Sequence, residues 1–440
     1  MHKKKRLELA QWAMERAIKS GANEAAVSIN SSRSIEIEFR DKRLDKVKES
    51  TQNSLNVQIY IQKRYSAQST NDLRRDSLDK FITDAVAATK YLSPDEYRSL
   101  PDPKYYPAKE EADLKILDNS YERITSAERV KIAAEIEAAA AAQSNKIIST
   151  TAGYSDEHSE KVRMHSNGFR GEEEGTGFSA GVMVTVSGDN GSRPEDWSWS
   201  QARFHKDLPG AVKLGEDAAQ RALRKIGQRK TESGKYDMIV ENRTGSTLIS
   251  MLQQPMTTRT LQQKNSYLEG MIGEKIASEK LTMIDDPTLE KGLASQIFDN
   301  EGLAGKRRVM IEKGVLQHFY VDNYYGRKLG MEPTGGSASN VVFECGRKSV
   351  SELTKGIKKG ILVNGFIGGN SNPTTGDFSY GIVGLLIENG EIVKAVNEMN
   401  ISGNGKEFWN QLVAMGNDPY PYSSCMTPSM VFEGVQFSGT

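Results

Sequence analysis

Cysteine is almost missing from this chain of 440 residues, which carries only Cys345 and Cys425. Two thiols are too few for a disulfide scaffold and leave no paired spacing for a structural zinc knot, so the composition points to a reducing, cytoplasmic setting. Net charge is missing as well, because 58 Lys and Arg face 58 Asp and Glu. A neutral total removes the bulk attraction to phosphate that strongly basic proteins use, which disfavours nucleic acid as a partner. No uninterrupted apolar run reaches the roughly 18–20 residues of a membrane-spanning helix, so no membrane partner is expected. The opening Met1-His2-Lys3-Lys4-Lys5-Arg6 has the charge of a leader, but Glu8 interrupts the apolar stretch at once, and it is not read as a signal peptide. What is present, 37% hydrophobic and 26% charged residues, is the profile of a folded protein with chain enough for several cores.

Hydrophobic spacing organises the chain into three parts. In residues 1–108, Leu7, Ala10, Met14, Ala17 and Ile18 recur at helical intervals and Gly21 follows as a stop signal. Period-two alternation then marks strands over 34–39 and 55–61, and helical spacing returns at Leu78, Phe81, Ile82, Ala85 and Ala88. Pro94, Pro101, Pro103 and Pro107 make the following stretch a linker. Residues 109–228 repeat that element order, with an alanine-rich helix over 127–142, alternation over 161–164 and 180–186, and a helix over 210–226. Residues 229–440 turn toward glycine and β-formers. Hairpins are expected at Lys313-Gly314, between strands 308–311 and 315–319, and at Asn389-Gly390, between 382–387 and 392–396. Helices are expected at 244–252, 267–277 and 406–414. The fold class is α+β: two N-terminal segments of antiparallel strands with helices, then a β-rich C-terminal domain.

Chemistry is harder to find. The five histidines, His2, His158, His165, His205 and His318, are none of them followed by Glu, so the helix that would face two imidazoles and a base toward one zinc ion is absent. His158 and His165 lie an odd number of residues apart and would point to opposite faces of one strand. No nucleophile elbow is recognised; Gly381-Ile382-Val383-Gly384 lacks the serine. Cys345, beside Val341-Val342-Phe343, reads as a buried core thiol, whereas Cys425, just past Pro419 and Pro421, reads as more exposed, with packing still favoured over ligation. The glycine-rich stretches 368–377 and 333–337 lack the Gly-Lys-Ser/Thr ending of a phosphate loop, and suit tight turns or close approach of an extended peptide.

Several ordered segments resemble one family. Residues 277–287, Phe298-Asp299-Asn300-Glu301-Gly302, 330–335, Thr375-Gly376-Asp377-Phe378-Ser379, 401–405 and Gly416-Asn417-Asp418 resemble the TldD/TldE family, whose TldE branch is also called PmbA and was long labelled a modulator of DNA gyrase. The resemblance implies cytosolic proteolysis of unfolded or extended peptides by a TldD/TldE pair, in which TldD carries an HExxxH zinc helix and a late cysteine ligand. In this chain Ile249, Ser250 and Gln254 stand where His, Glu and His would, and Cys425 matches the late cysteine. It therefore resembles the TldE side: no catalytic residue and no cofactor of its own, zinc in a TldD-like partner, and association with that partner or with itself. Two alternatives are an independently active peptidase using His158, His165 or His205, and a binding module for gyrase or DNA. The latter's basic stretches, 40–48 and 221–230, are short and interleaved with acids or glycine.

Overall fold

A computed structural model describes residues 3–108 and 113–440. His2 and residue 109, where the second part is expected to open, lie outside the described residues. The N-terminal half runs α1 (Lys3–Lys19), β1 (Glu24–Arg40), β2 (Arg43–Ile61), β3 (Arg64–Thr70), α2 (Arg75–Thr89), then α3 (Ser126–Ala141), β4 (Ile147–His165), β5 (Arg170–Val186), β6 (Glu195–Ala202) and α4 (Ala211–Arg224). All six strands form one sheet in the order β3-β2-β1-β4-β5-β6. Because β1 and β4 meet antiparallel at its centre, the two helix–three-strand–helix units are related by an approximate two-fold.

The helices all cover one face. Ala10, Ala13 and Ala17 of α1 recur at helical spacing, and as small residues they let the helix lie close on Val27, Ile29, Leu55 and Val57. Gly21, at φ +111°, ends the chain's run after α1 in a conformation that other residues avoid. Helix α3 begins with a reciprocal cap: Thr125 Oγ1 accepts from the Glu128 amide at 3.2 Å, and Glu128 Oε2 accepts from the Thr125 amide at 2.7 Å. With α4 it buries Ile35, Ile37, Tyr154, Phe178, Val182 and Val184.

The C-terminal half contains β7 (Gly234–Val240), α5 (Ser246–Gln253), α6 (Thr258–Gln262), β8 (Met283–Asp285), β9 (Arg308–Glu312), β10 (Val315–Leu316), α7 (Asn323–Leu329), β11 (Val341–Phe343), α8 (Val350–Lys355), β12 (Lys359–Ser371), β13 (Asp377–Glu388), β14 (Glu391–Asn404), α9 (Gly405–Phe408), β15 (Leu412–Met415) and β16 (Met430–Ser438). Its large sheet runs β14-β13-β12-β7-β16-β15, and Asn400↔Ser438 and Ile401↔Phe437 join β14 back to β16, giving a barrel-like sheet. A smaller sheet, β10-β9-β8-β11, lies beside it. The mixed class and the β-rich C-terminal half agree with the sequence reading. Among the described residues no helix is long and apolar enough to cross a membrane.

Three local expectations are corrected. Residues 267–277 form turns, with Gly270 at φ +76° and Gly273 at φ +81°, values a helix cannot hold. The helix expected over 406–414 is short: α9 stops at Phe408, and 412–415 is strand β15. The strand expected over 315–319 is only the two-residue β10.

The two halves are joined by charge. Arg221 of α4 donates to both carboxylate oxygens of Glu241, at 2.6 and 2.9 Å. The loop at 298–302 carries Asp299 and Glu301 to the far end of the N-terminal sheet. There Arg163 Nε donates to His165 Nε2 at 2.8 Å, and Tyr106 Oη lies 2.9 Å from His165 Nδ1. Burial, and secondarily Arg163, push the His165 imidazole down to about 2, so it stays neutral. Burial pushes the Glu301 carboxyl up to about 7, with Asp299 and Asp322 adding to the effect, while its bond from the Asn323 amide at 2.8 Å opposes it.

Candidate functional site

The face of the N-terminal sheet that the helices leave bare is turned toward the C-terminal half, and the space between them is the candidate site. Strand alternation decides what it shows. Along β5, Phe178, Ala180 and Val182 point into the helix-covered core, so Gly177, Ser179, Gly181 and Met183 point the other way. Register then builds rows across strands: Trp199 of β6, Gly181 of β5, Gly153 of β4 and Glu38 of β1 are direct neighbours. The Trp199 indole lies over the two glycines. A methyl at 153 would stand 2.5 Å from Trp199 Cη2, and one at 181 would stand 2.6 Å from Cε3, so only glycine leaves room for the ring. Trp199 Nε1 donates to Ser179 Oγ.

Three hollows adjoin one another on this face. A cavity of about 650 Å³ is walled by Met183, Trp197 and Trp199 on the sheet side and by Asn242, Arg243, Ser246, Tyr420, Tyr422 and Cys425 on the C-terminal side. Across Met183 and Trp199 it meets a hollow of about 570 Å³ bearing Glu36, Glu38, Arg40, Lys46, Ser149, Thr151, Ser155 and Thr185. Across Gln201 and Leu293 it meets one of about 500 Å³ bearing Ser32, Ser34, Gln52, Glu157, Ser179 and Arg203. The second and third hollows also share Glu36 and Ser155, so the three form one continuous trough in which the aromatic section adjoins two sections bearing charged and hydroxyl side chains.

The C-terminal wall is held by short bonds. Tyr420 Oη donates to the Trp199 carbonyl at 2.7 Å, Asn242 Nδ2 to the Asp418 carbonyl at 2.7 Å, and Arg243 Nη2 to Asp217 Oδ2 at 2.9 Å. Ser424 and Met426 bond to Val341 on either side of Cys425, pinning that loop to β11.

Helix α5 follows β7 after a five-residue turn and brings Ser246 to the cavity. Ile249 is 0% exposed and packs in the main core. Ser250 and Gln254 are exposed, and Gln254 Oε1 accepts from Ser371 Oγ at 3.2 Å. Cys425 is half-buried, and burial pushes its thiol up to about 12, so it remains protonated. The expected contrast between the two cysteines is reversed. Cys345 is exposed because β11 ends at Phe343, two residues earlier, and Cys425 packs against the core.

The histidines stay apart. His158 faces the helix layer, 2.9 Å from Glu174 Oε1 and beside the Tyr121 ring, and His205 stacks edge-on to Tyr154 and Phe178. His165 sits on the opposite face, against Arg163 and Tyr106, and His318 Nδ1 lies 2.8 Å from the Val309 carbonyl in the C-terminal half. Among the described residues no group of three His, Cys, Asp or Glu side chains is placed to hold a metal ion. The sequence reading also passed over one Gly-x-Ser-x-Gly string, Gly177-Phe178-Ser179-Ala180-Gly181. It lies inside β5, and Ser179, on extended backbone and bonded to Trp199, lacks the strand-to-helix turn of a nucleophile elbow.

Comparison with known proteins bears on the whole chain. Residues 25–89 match PmbA/TldA metallopeptidase domain 1, residues 119–226 the central domain, and residues 233–439 the C-terminal domain. The metalloprotease PmbA of Escherichia coli O157:H7 is 28% identical over 98% of this chain and 96% of its own length. The crystal structure of a Bacteroides thetaiotaomicron protein described as a modulator of DNA gyrase superposes with a TM-score of 0.97 at 41% identity, covering 100% of both chains. TldE from Thermococcus kodakarensis shares the fold, with a TM-score of 0.85 at 24% identity over 98% of this chain and 100% of its own.

Proposed function

The chain belongs to the PmbA/TldD metallopeptidase family, and from that premise we propose that it is a TldE-like subunit that binds extended peptide for a cytosolic peptidase complex whose zinc resides in a TldD-like partner. One observation carries the reading: α5, where the family resemblance puts the HExxxH helix, presents a core isoleucine, a surface serine and a surface glutamine at Ile249, Ser250 and Gln254. The residues present do not fit a tetrahedral zinc. A protonated, half-buried thiol at Cys425 supplies one donor, and Ile249 supplies none. The metal of the complex would polarise water in the partner; this chain's part is to hold the substrate.

The trough supports that part. Its polar sections mix Glu36, Glu38, Arg40 and Lys46 with hydroxyls, a lining that can bond a peptide backbone of any sequence. Both thiols are free, which is consistent with a reducing compartment.

The test is a metal and activity measurement on untagged protein. Alone it is expected to retain well under one zinc per chain and to leave an unfolded peptide intact; mixed with its HExxxH-bearing relative it should be present in an active complex. One zinc per chain in the isolated protein, lost on Cys425→Ser, would overturn the reading. Independent activity abolished by replacing His158, His165 and His205 would overturn it in favour of a self-sufficient peptidase.

A further inference from the structure

The aromatic section of the trough invites a sharper statement, one that rests on the peptide-binding reading above. Trp197 and Met183 are each 44% exposed, an unusual outlay of apolar surface for residues that share a cavity. Trp199 between them is fixed flat by Gly153, Gly181 and Ser179, so this wall is rigid before anything binds. Tyr420 and Tyr422, with ring centres 5.6 Å apart and edge to face, form the opposite wall. Among the described residues the one charged group lining the cavity is Arg243, and Asp217 already pairs with it. A cationic guest would find no counter-ion there, and an apolar one would find two indoles and two phenols.

The ends of the cavity say what the guest is attached to. It opens into polar hollows on two sides, so a compact ligand would not be enclosed, whereas a chain could pass through with one side chain turned down. Its volume of about 650 Å³ is within the range that takes a bulky group with room for flanking backbone. We propose that the hollow between Trp197, Trp199, Tyr420 and Tyr422 is a side-chain subsite that selects a large apolar residue, aromatic above all, in an extended peptide lying along the bare face of the sheet.

The experiment measures fluorescence anisotropy of short labelled peptides, identical except for one central Ala, Leu, Phe, Trp or Lys, against the full chain alone and against the chain mixed with its zinc-bearing partner. Phe and Trp peptides should bind about 10-fold more tightly than the Ala peptide, with Lys weakest. Trp197→Ala, a change at a partly exposed residue that leaves the core intact, should reduce the Phe-to-Ala ratio to about 2 without weakening the Ala peptide. Trp199→Ala should do the same, Trp199→Phe should keep most of the ratio, and Val212→Ala, 61% exposed on α4 away from the trough, should change nothing. Peptides that bind with a ratio near 1, or a ratio that survives both tryptophan-to-alanine variants, would overturn the subsite and leave peptide binding standing. Absence of binding for every peptide in both preparations would overturn both.

Discussion

The two faces of the N-terminal sheet are built from the same strands and behave as different materials. On β5, Phe178, Ala180 and Val182 are sealed under α3 and α4, while of their immediate neighbours Gly177, Ser179 and Met183 line open space and Gly181 lies under the Trp199 ring. One face is filled to exclude water; the other is emptied, by glycine and serine, until an indole can lie on it and a trough remains. The lesson is that small residues in a long strand can be as deliberate as large ones. They shape a site by what they leave out.

That contrast can be broken at its strongest point. Phe178→Ala should cost about 3–5 kcal/mol in urea denaturation, because it empties a site that is 2% exposed. Gly181→Ala tests the other face where it is crowded: its methyl meets the Ser198 carbonyl and Trp199, so a loss of about 1–3 kcal/mol is expected, with a change in tryptophan emission as the ring is displaced.

The buried end of the bare face offers a test by pH. In the folded chain Glu301 takes up its proton at about 7, against an ordinary 4.5, so its contribution is fully present below the ordinary value and is lost as pH rises toward 7. His165 has the reverse sign. Held neutral down to about 2 when folded, it lowers stability as pH falls through the ordinary 6.5 of the unfolded chain. Glu301→Gln should therefore match the wild type near pH 5 and exceed it, by of order 1–2 kcal/mol, near pH 7.5. His165→Gln should gain on the wild type in the acid direction instead. Equal pH profiles for all three proteins would show that the seam does not titrate as described. At the small end, Ser155→Ala on the open face should stay within about 0.5 kcal/mol.

Much of the architecture was legible because it is locally coded. Helical spacing located α1 to α4, and Lys313-Gly314 and Asn389-Gly390 announced their turns. The long hairpins were harder: β1 turns into β2 at Asp41-Lys42 and β2 into β3 at Gln62-Lys63, all four residues at positive φ without a glycine to signal it. Only the C-terminal parts of β1 and β2, 34–39 and 55–61, alternated clearly enough to be read. The trough was illegible for a different reason. Its walls come from Trp197 and Trp199 and from Tyr420 and Tyr422, over two hundred residues away, and no pattern within either stretch refers to the other. The cysteines misled because the strand before Cys345 stops early and the loop bearing Cys425 is tied back to β11.

The centre of the sheet has a consequence for how the molecule is made. Every partner of β1 across that junction, from Arg40 with Thr151 to Ala26 with His165, is encoded roughly 110–140 residues downstream. At about 5–20 residues per second, a ribosome delivers them some 5–30 s after β1 has emerged. For that interval the nascent first unit, in which β2 covers one edge of β1, presents the other edge of that 17-residue strand to everything around it. Translation speed between residues 40 and 165 is thus coupled to yield: slowing it should send more of the chain into aggregates, and a chaperone that shields β1 should restore it.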